Sequence, residues 1–205
     1  VVKQERAGRT RQAVLLAAAD TFADAGFESA SLVDISRRAG VSKGALYFHF
    51  VSKQALADGV RAAAGREIGS AALRALRSAG PALQGLIDFS YELARLLRED
   101  VVVRAGVQLG QGTRQEGGPE VAPADTWRSL TAVVRRLLDR AGAAGELRPG
   151  VDHRQAAELL TTLAAGLVLL AAEDADRLRP EAVRGLWAAA LPALVSGEGC
   201  AAYRV

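Results

Sequence analysis

Apolar residues recur at three- and four-residue spacing along almost the whole chain, and alternating, strand-like runs are nearly absent. Each segment of that kind has one stripe to bury, so the fold is expected to be a set of helices packed stripe against stripe. The punctuation agrees. Leu15, Ala18, Ala19 and Phe22 mark one face of a first helix from about Thr10 to Ala25. Gly26 follows where a left-handed residue closes a helix, and Phe27 is placed to pack back on the last turn. Ser31 opens a short second helix, with Asp34 completing a capping-box pattern and Ile35 and Ala39 facing inward. Only Gly40-Val41-Ser42 separates it from a third, Lys43 to about Phe48, which Ser42 caps. Ser52 caps a fourth helix from Lys53 to about Ser78.

The remainder reads as a larger helical body. Gly80-Pro81 opens a helix whose inward face is Leu83, Leu86, Ile87, Ser90, Leu93 and Leu97. Asp100 starts a short helix to about Leu109, and Gly110 to Pro123 reads as a loop. A helix follows from about Ala124 to Ala141. Asp152 with Gln155 opens a long one to about Ala172. Pro180 opens the last, which Pro192 should end or bend. The tail from Gly197 is expected to fray. The fold class is therefore all-α: a three-helix N-terminal domain over residues 1–53 and a larger helical domain over 54–205, about nine helices together.

Composition narrows the function. The chain has 205 residues, half of them hydrophobic and 24% charged, which suits a packed core. The single Cys200 excludes a disulfide framework and any multi-cysteine metal site. The longest nearly apolar run, Leu159 to Ala172, is broken by Thr161 and Thr162 and falls short of the roughly 20 residues of a membrane span. No charged-then-apolar stretch marks the N-terminus. A cytoplasmic protein without a membrane partner is expected. His49 and His153 lie far apart, and no metal spacing, nucleophile elbow or triad pattern is present, so neither an enzyme nor a cofactor is expected. Charge is unevenly placed: residues 1–53 carry 8 basic and 5 acidic side chains, and residues 54–205 carry 18 of each. A local basic excess is the footprint of nucleic-acid binding, although a solvated face has the same composition.

Two short helices joined by a three-residue turn with Gly, inside the basic quarter, make a helix-turn-helix pattern. Pattern alone also fits any small three-helix bundle, and a helical interaction scaffold. The literal residues go further. Ser31 to Phe50, with Ser52-Lys53 after it and Ala18 to Phe22 and Gly26-Phe27 before it, resembles the DNA-binding motif of the tetracycline-repressor (TetR) family. The resemblance implies a homodimer with an N-terminal DNA-binding domain and a C-terminal sensing domain, binding a pseudo-palindromic double-stranded operator that a small molecule releases. Lys43 is then the long donor for guanine edges, and Gly44 and Ala45 let the recognition helix approach the bases. Ser42, Tyr47, His49 and Lys53 are expected near phosphates, with Ser31 and Arg38 contributing from the second helix. Tyr47 also reads as a packed aromatic and His49 as a structural histidine. Phe48 and Phe50 read as core.

Val103 to Leu109 and Trp127 resemble the γ-butyrolactone-type autoregulator receptors of that family. This implies a lactone-like effector against Trp127, an indole with apolar area and one directed donor. Trp127 as plain core, and an effector that is a drug, antibiotic or other lipophilic metabolite, are the alternatives. Leu86, Phe89, Leu130, Val134, Thr161, Thr162 and Ala165 are the further pocket candidates. The threonine hydroxyls need partners, which an effector or the preceding-turn carbonyl would supply. Leu159, Leu163, Leu167, Leu170, Leu186, Trp187 and Leu191 are expected on a four-helix dimer interface.

Overall fold

The computed structural model describes residues 2–111, 123–172 and 174–205. Among these there are nine α-helices, two short 3₁₀ segments and no strand. The helices are α1 (Val2–Ser29), α2 (Leu32–Arg38), α3 (Lys43–His49), α4 (Lys53–Arg77), α5 (Ala82–Glu99), α6 (Val101–Gln111), α7 (Pro123–Ala143), α8 (His153–Ala171) and α9 (Pro180–Leu194). Residues 112–122, most of the expected Gly110–Pro123 loop, lie outside the described residues.

The chain divides into two compact units, Val1–Glu67 with Glu99–Glu120, and Ile68–Arg98 with Val121–Val205. The division falls inside α4, beyond the 53/54 boundary expected from the motif, and α6 returns to the first unit. The reason is packing. Val102 and Ala105 of α6 join Val14, Leu15, Ala18 and Phe22 of α1, Ile35, Leu46, Leu56 and Val60 in one core. Gly106 sets the approach of α6 to α4, because a Cβ there would stand 2.4 Å from the Ala64 Cβ and 3.3 Å from the Val60 carbonyl oxygen.

Within the first unit α1 is longer than its apolar stripe. It reaches back to Val2, with Thr10 bonded to the Arg6 carbonyl at 3.0 Å, and breaks at Gly26, whose φ is 76°. The rings of Phe22 and Phe27 then meet at 5.7 Å. Ser31 caps α2 by accepting the Val33 N–H at 3.2 Å. Asp34 pairs with Arg37 at 2.8 Å. α2 ends in a Schellman turn. Gly40 takes φ 66°, and the N–H groups of Gly40 and Val41 donate to the carbonyls of Arg37 and Ser36. The next residue, Ser42, accepts the Ala45 N–H at 3.1 Å and starts α3, so one helix ends and another begins within three residues.

The second unit is closed by residues 140–148, which the sequence pattern passed over. Arg140 donates to the carbonyls of Leu76 and Ser78 at the end of α4, at 2.6 and 3.2 Å. The Glu146 carboxylate accepts the Ala82 and Leu83 N–H groups at the start of α5, at 2.8 and 2.9 Å. Arg148 donates through its side chain to Ala193 and through its backbone to Leu194 at the end of α9, at 2.7 and 2.9 Å. Cations thus meet helix C-termini and the anion meets an N-terminus, as helix dipoles favour.

Pro192 sits in the last turn of α9, which ends two residues on at Leu194, and Arg148 serves the carbonyls of Ala193 and Leu194. One expectation fails: the tail does not fray. Gly197–Ala202 forms a 3₁₀ segment, Tyr203 donates to Glu146 at 3.3 Å, and the Gln84 amide brackets the Arg204 backbone at 3.0 and 3.2 Å. Burial, and then the neighbouring Glu146 charge, push the Tyr203 hydroxyl up to about 12.

Candidate DNA-reading surface and ligand cavity

α3 buries one side and leaves the other bare. Leu46 is fully buried and Phe50, which ends the helix, is 3% exposed. Ser42, Lys43, Gly44 and Tyr47 are exposed, and Ala45 and His49 are half-buried. Phe48 departs from its expected place in the core and is 81% exposed. Its position explains this: it lies two residues from each of the buried Leu46 and Phe50, so the helix turns it to the opposite side. The Lys43 ammonium stands 5.9 Å from the Tyr47 ring centroid. The outer face of α3 therefore offers one cation, small residues beside it, and two aromatic rings.

The other candidates are engaged within the unit. Lys53 donates to the carbonyls of Phe27, Glu28 and Ala30 at 2.8, 3.0 and 3.3 Å. Its ammonium also lies 4.6 Å from the Phe27 ring centroid. Three hydrogens meet three acceptors, so Lys53 pins the end of α1, and a phosphate contact would have to displace one of these bonds. Arg38 holds Asp24 through both terminal nitrogens at 3.1 Å. The Ser31 oxygen is already the α2 cap. Lys53 carries no sequence signal for this role, because its acceptors lie more than twenty residues upstream.

In the second unit a cavity of about 100 Å³ opens between α5, α7, α8 and α9. Leu86, Phe89, Trp127, Leu130, Val134 and Thr161 line it, as expected. Thr162 and Ala165 do not; they lie one and four residues past Thr161, Thr162 is exposed and Ala165 half-buried. Trp187 lines the cavity and is 5% exposed, and Leu191 is 3% exposed, so neither takes the expected place on a partner-facing surface. Leu167 and Leu186 line the cavity as well.

The wall is apolar with few polar groups. The Trp187 indole donates to the Ser90 hydroxyl at 2.7 Å, which donates on to the Ile87 carbonyl at 2.6 Å. That chain is closed. Thr161 differs: it is 8% exposed, and its hydroxyl oxygen has no partner. The preceding-turn carbonyl does not take it. A buried hydroxyl left this way costs about 1–3 kcal/mol, so the wall offers one polar group that a polar atom in the cavity would satisfy. Ser90 read as part of the inward face of α5 and Trp187 as part of a partner face, so neither was assigned to the cavity. The indole N–H of Trp187, which needs a buried acceptor, was the available signal.

Comparison with known proteins agrees with this arrangement. Residues 14–60 match the family model of bacterial regulatory proteins, tetR family. The A-factor receptor protein of Streptomyces griseus is 34% identical over 196 residues, which cover 95% of this chain and 67% of that protein. The chain belongs to the TetR family. It is a DNA-binding transcriptional repressor by descent, not an enzyme, and homologous to the γ-butyrolactone receptors. The crystal structure of a γ-butyrolactone receptor (ArpA-like protein) superposes with a TM-score of 0.78 at 26% identity, covering 96% of this chain and 92% of that one. CprB from Streptomyces coelicolor, in complex with its biological operator sequence, gives 0.79 at 26% identity, covering 97% and 94%. The TetR match spans α2 and α3 entirely and starts inside α1 and ends inside α4, the elements that present the outer face of α3.

Proposed function

We propose that this TetR-family repressor binds a pseudo-palindromic operator as a homodimer and is released by a compact γ-butyrolactone-like effector. DNA reading is assigned to residues 1–53, and sensing and dimerisation to residues 54–205, in the cytoplasm. The observation that carries the effector reading is the apolar cavity with Trp127 on its wall and one orphan hydroxyl, Thr161. A lactone has the matching form: an apolar body and carbonyl or hydroxyl oxygens for one donor. The A-factor receptor relative supports it.

Dimerisation is supported by α8. Leu159, Leu163, Leu169 and Leu170 are 56, 39, 60 and 46% exposed, a run of large apolar residues that a second copy would cover. α8 is also the one described helix long and apolar enough to cross a membrane by length and composition. Its packing on α7 and its cavity-facing Thr161 favour a protein partner. For switching, α5 contributes Leu97 to the cavity and is followed through Asp100 by α6, whose Val102 and Ala105 lie in the core of the DNA-reading unit. We assign transmission to α6 as well as α4.

The test is Trp127→Phe, measured by operator release against a synthetic γ-butyrolactone series. Operator affinity should survive, and the lactone concentration for release should rise about tenfold, the loss of one good hydrogen bond. Release at the wild-type concentration would remove Trp127 from the site and favour a drug- or metabolite-responsive repressor.

A further inference from the structure

The polar groups of the cavity differ from wall to wall. α5 and α9 supply one wall, which is apolar at Phe89, Leu93, Val183, Leu186 and Ala190. Two side chains on it can hydrogen-bond, Ser90 of α5 and Trp187 of α9, and they bond to each other. The indole N–H donates to Ser90 Oγ at 2.7 Å, and the single hydroxyl hydrogen goes to the Ile87 carbonyl at 2.6 Å. Both side-chain donors of that wall are thereby used within the unit. On the wall from α7 and α8 the Thr161 hydroxyl has no partner among the described residues.

Ser90 matters here as an acceptor. Trp187 is 5% exposed, so its N–H cannot turn to water and needs a partner from the protein. Ser90 supplies one from another helix and spends its own hydrogen on the preceding turn of α5. Without Oγ, the indole N–H would point into vacated space at the cavity wall, where an oxygen of a ligand would replace the hydroxyl.

We propose that Ser90 determines effector specificity. By engaging the Trp187 N–H it closes the α5–α9 wall to polar groups, so the effector lies with an oxygen-bearing end toward Thr161 and an apolar end against Trp187. An oxygen on the apolar end would lose its water and find no donor, which disfavours effectors polar at both ends. Ser90 is a positioning residue in this, acting through Trp187. The proposal rests on the lactone reading of the same cavity.

The experiment uses the full chain and an operator duplex that wild-type protein selects from a randomised library. Release is followed with a γ-butyrolactone carrying a pentyl substituent, and with the same lactone carrying a ketone or a hydroxyl in that substituent. Wild-type protein should respond to the pentyl lactone at a concentration at least about tenfold below that of the ketone lactone, the cost of one unmet polar group. S90A should lose this preference, because the freed Trp187 N–H meets the ketone. W187F frees the Ser90 acceptor instead, so the hydroxyl lactone should gain about tenfold and the ketone lactone nothing. S90T keeps the hydroxyl and should keep the wild-type preference. Unchanged operator affinity without ligand establishes that the variants fold. A wild-type preference in S90A, a gain for the ketone in W187F or S90T behaving as S90A overturns the proposal. So does a shift of all three ligands together, the mark of a wall that is merely loosened. Wild-type protein that binds the operator and is released by none of the three overturns the lactone reading, and the proposal with it.

Discussion

The two compact units leave their chemistry open in different places. In the first, the core around Leu46 and Ile35 is apolar and Lys53 is bonded to three carbonyls, while the buried Arg61 Nε has no hydrogen-bond partner among the described residues. Its outer α3 face carries the exposed cation Lys43. In the second, the salt bridges of Arg74 and Arg95 with Glu92 hold charge on the surface, and the first of these side chains is 63% exposed. They also keep the Glu92 carboxyl below its ordinary range, with the Arg95 hydrogen bond the largest cause. On its cavity wall the Thr161 hydroxyl is buried, neutral and without a partner among the described residues. An extended polyanion has to be met on an outer face. A small, mostly apolar molecule has to be enclosed. An exposed cation on a bare helix face suits the first kind of ligand, and a neutral hydroxyl on an apolar cavity wall suits the second.

The contrast breaks most readily at Lys53. If it serves the fold, Lys53→Ala should cost about 3 kcal/mol of stability in denaturant unfolding, since charge-assisted bonds are worth about 1.5–3 kcal/mol each and three carbonyls partly re-solvate. The salt slope of DNA binding should stay unchanged in the fraction that is folded. A slope flattened by about 1 with stability intact would return Lys53 to the outward-facing set.

Lys43→Ala should do the converse. Specific affinity is expected to fall by about 2 kcal/mol, with relaxed preference at one operator position per half-site and no change in unfolding. A competition assay over single-position operator variants reads this directly. An unchanged preferred sequence would move base reading off the start of α3.

The smallest effect sharpens the inner side. Thr161→Val keeps the shape and removes the unpaired hydroxyl, so the unliganded protein should gain about 1 kcal/mol in urea unfolding while lactone binding weakens. Destabilisation instead would mean that the hydroxyl is already served inside the unit, and the cavity would lose its one open polar group.

Legibility in the sequence followed the range of the interactions. α2, α3 and α8 are capped by Ser31, Ser42 and Asp152, residues adjacent to the helices they serve, and their starts were readable to the residue. α5 is capped from Glu146, more than sixty residues away, and no local pattern announces that. The same holds at the sites. The outer face of α3 lies within seven consecutive residues and was legible except at Phe48, whose aromatic side chain read as core. The cavity draws on four helices, so periodicity identified Thr161 as a candidate but could not separate it from Thr162. α9 failed for a related reason: its apolar face is wide enough for either a partner or a cavity, and only the packing shows Trp187 turned inward.

Residues 140–148 have a consequence for the timing of motion. One short stretch closes the end of α4, the start of α5 and the end of α9, and through Glu146 it also holds the tail. Opening it uncovers helix-end groups of three separate helices in a single event. Amide exchange at those three ends should therefore share one opening free energy rather than fray independently. Residues 140–148 therefore form a clasp on the second unit, and that unit is expected to open there in one cooperative step.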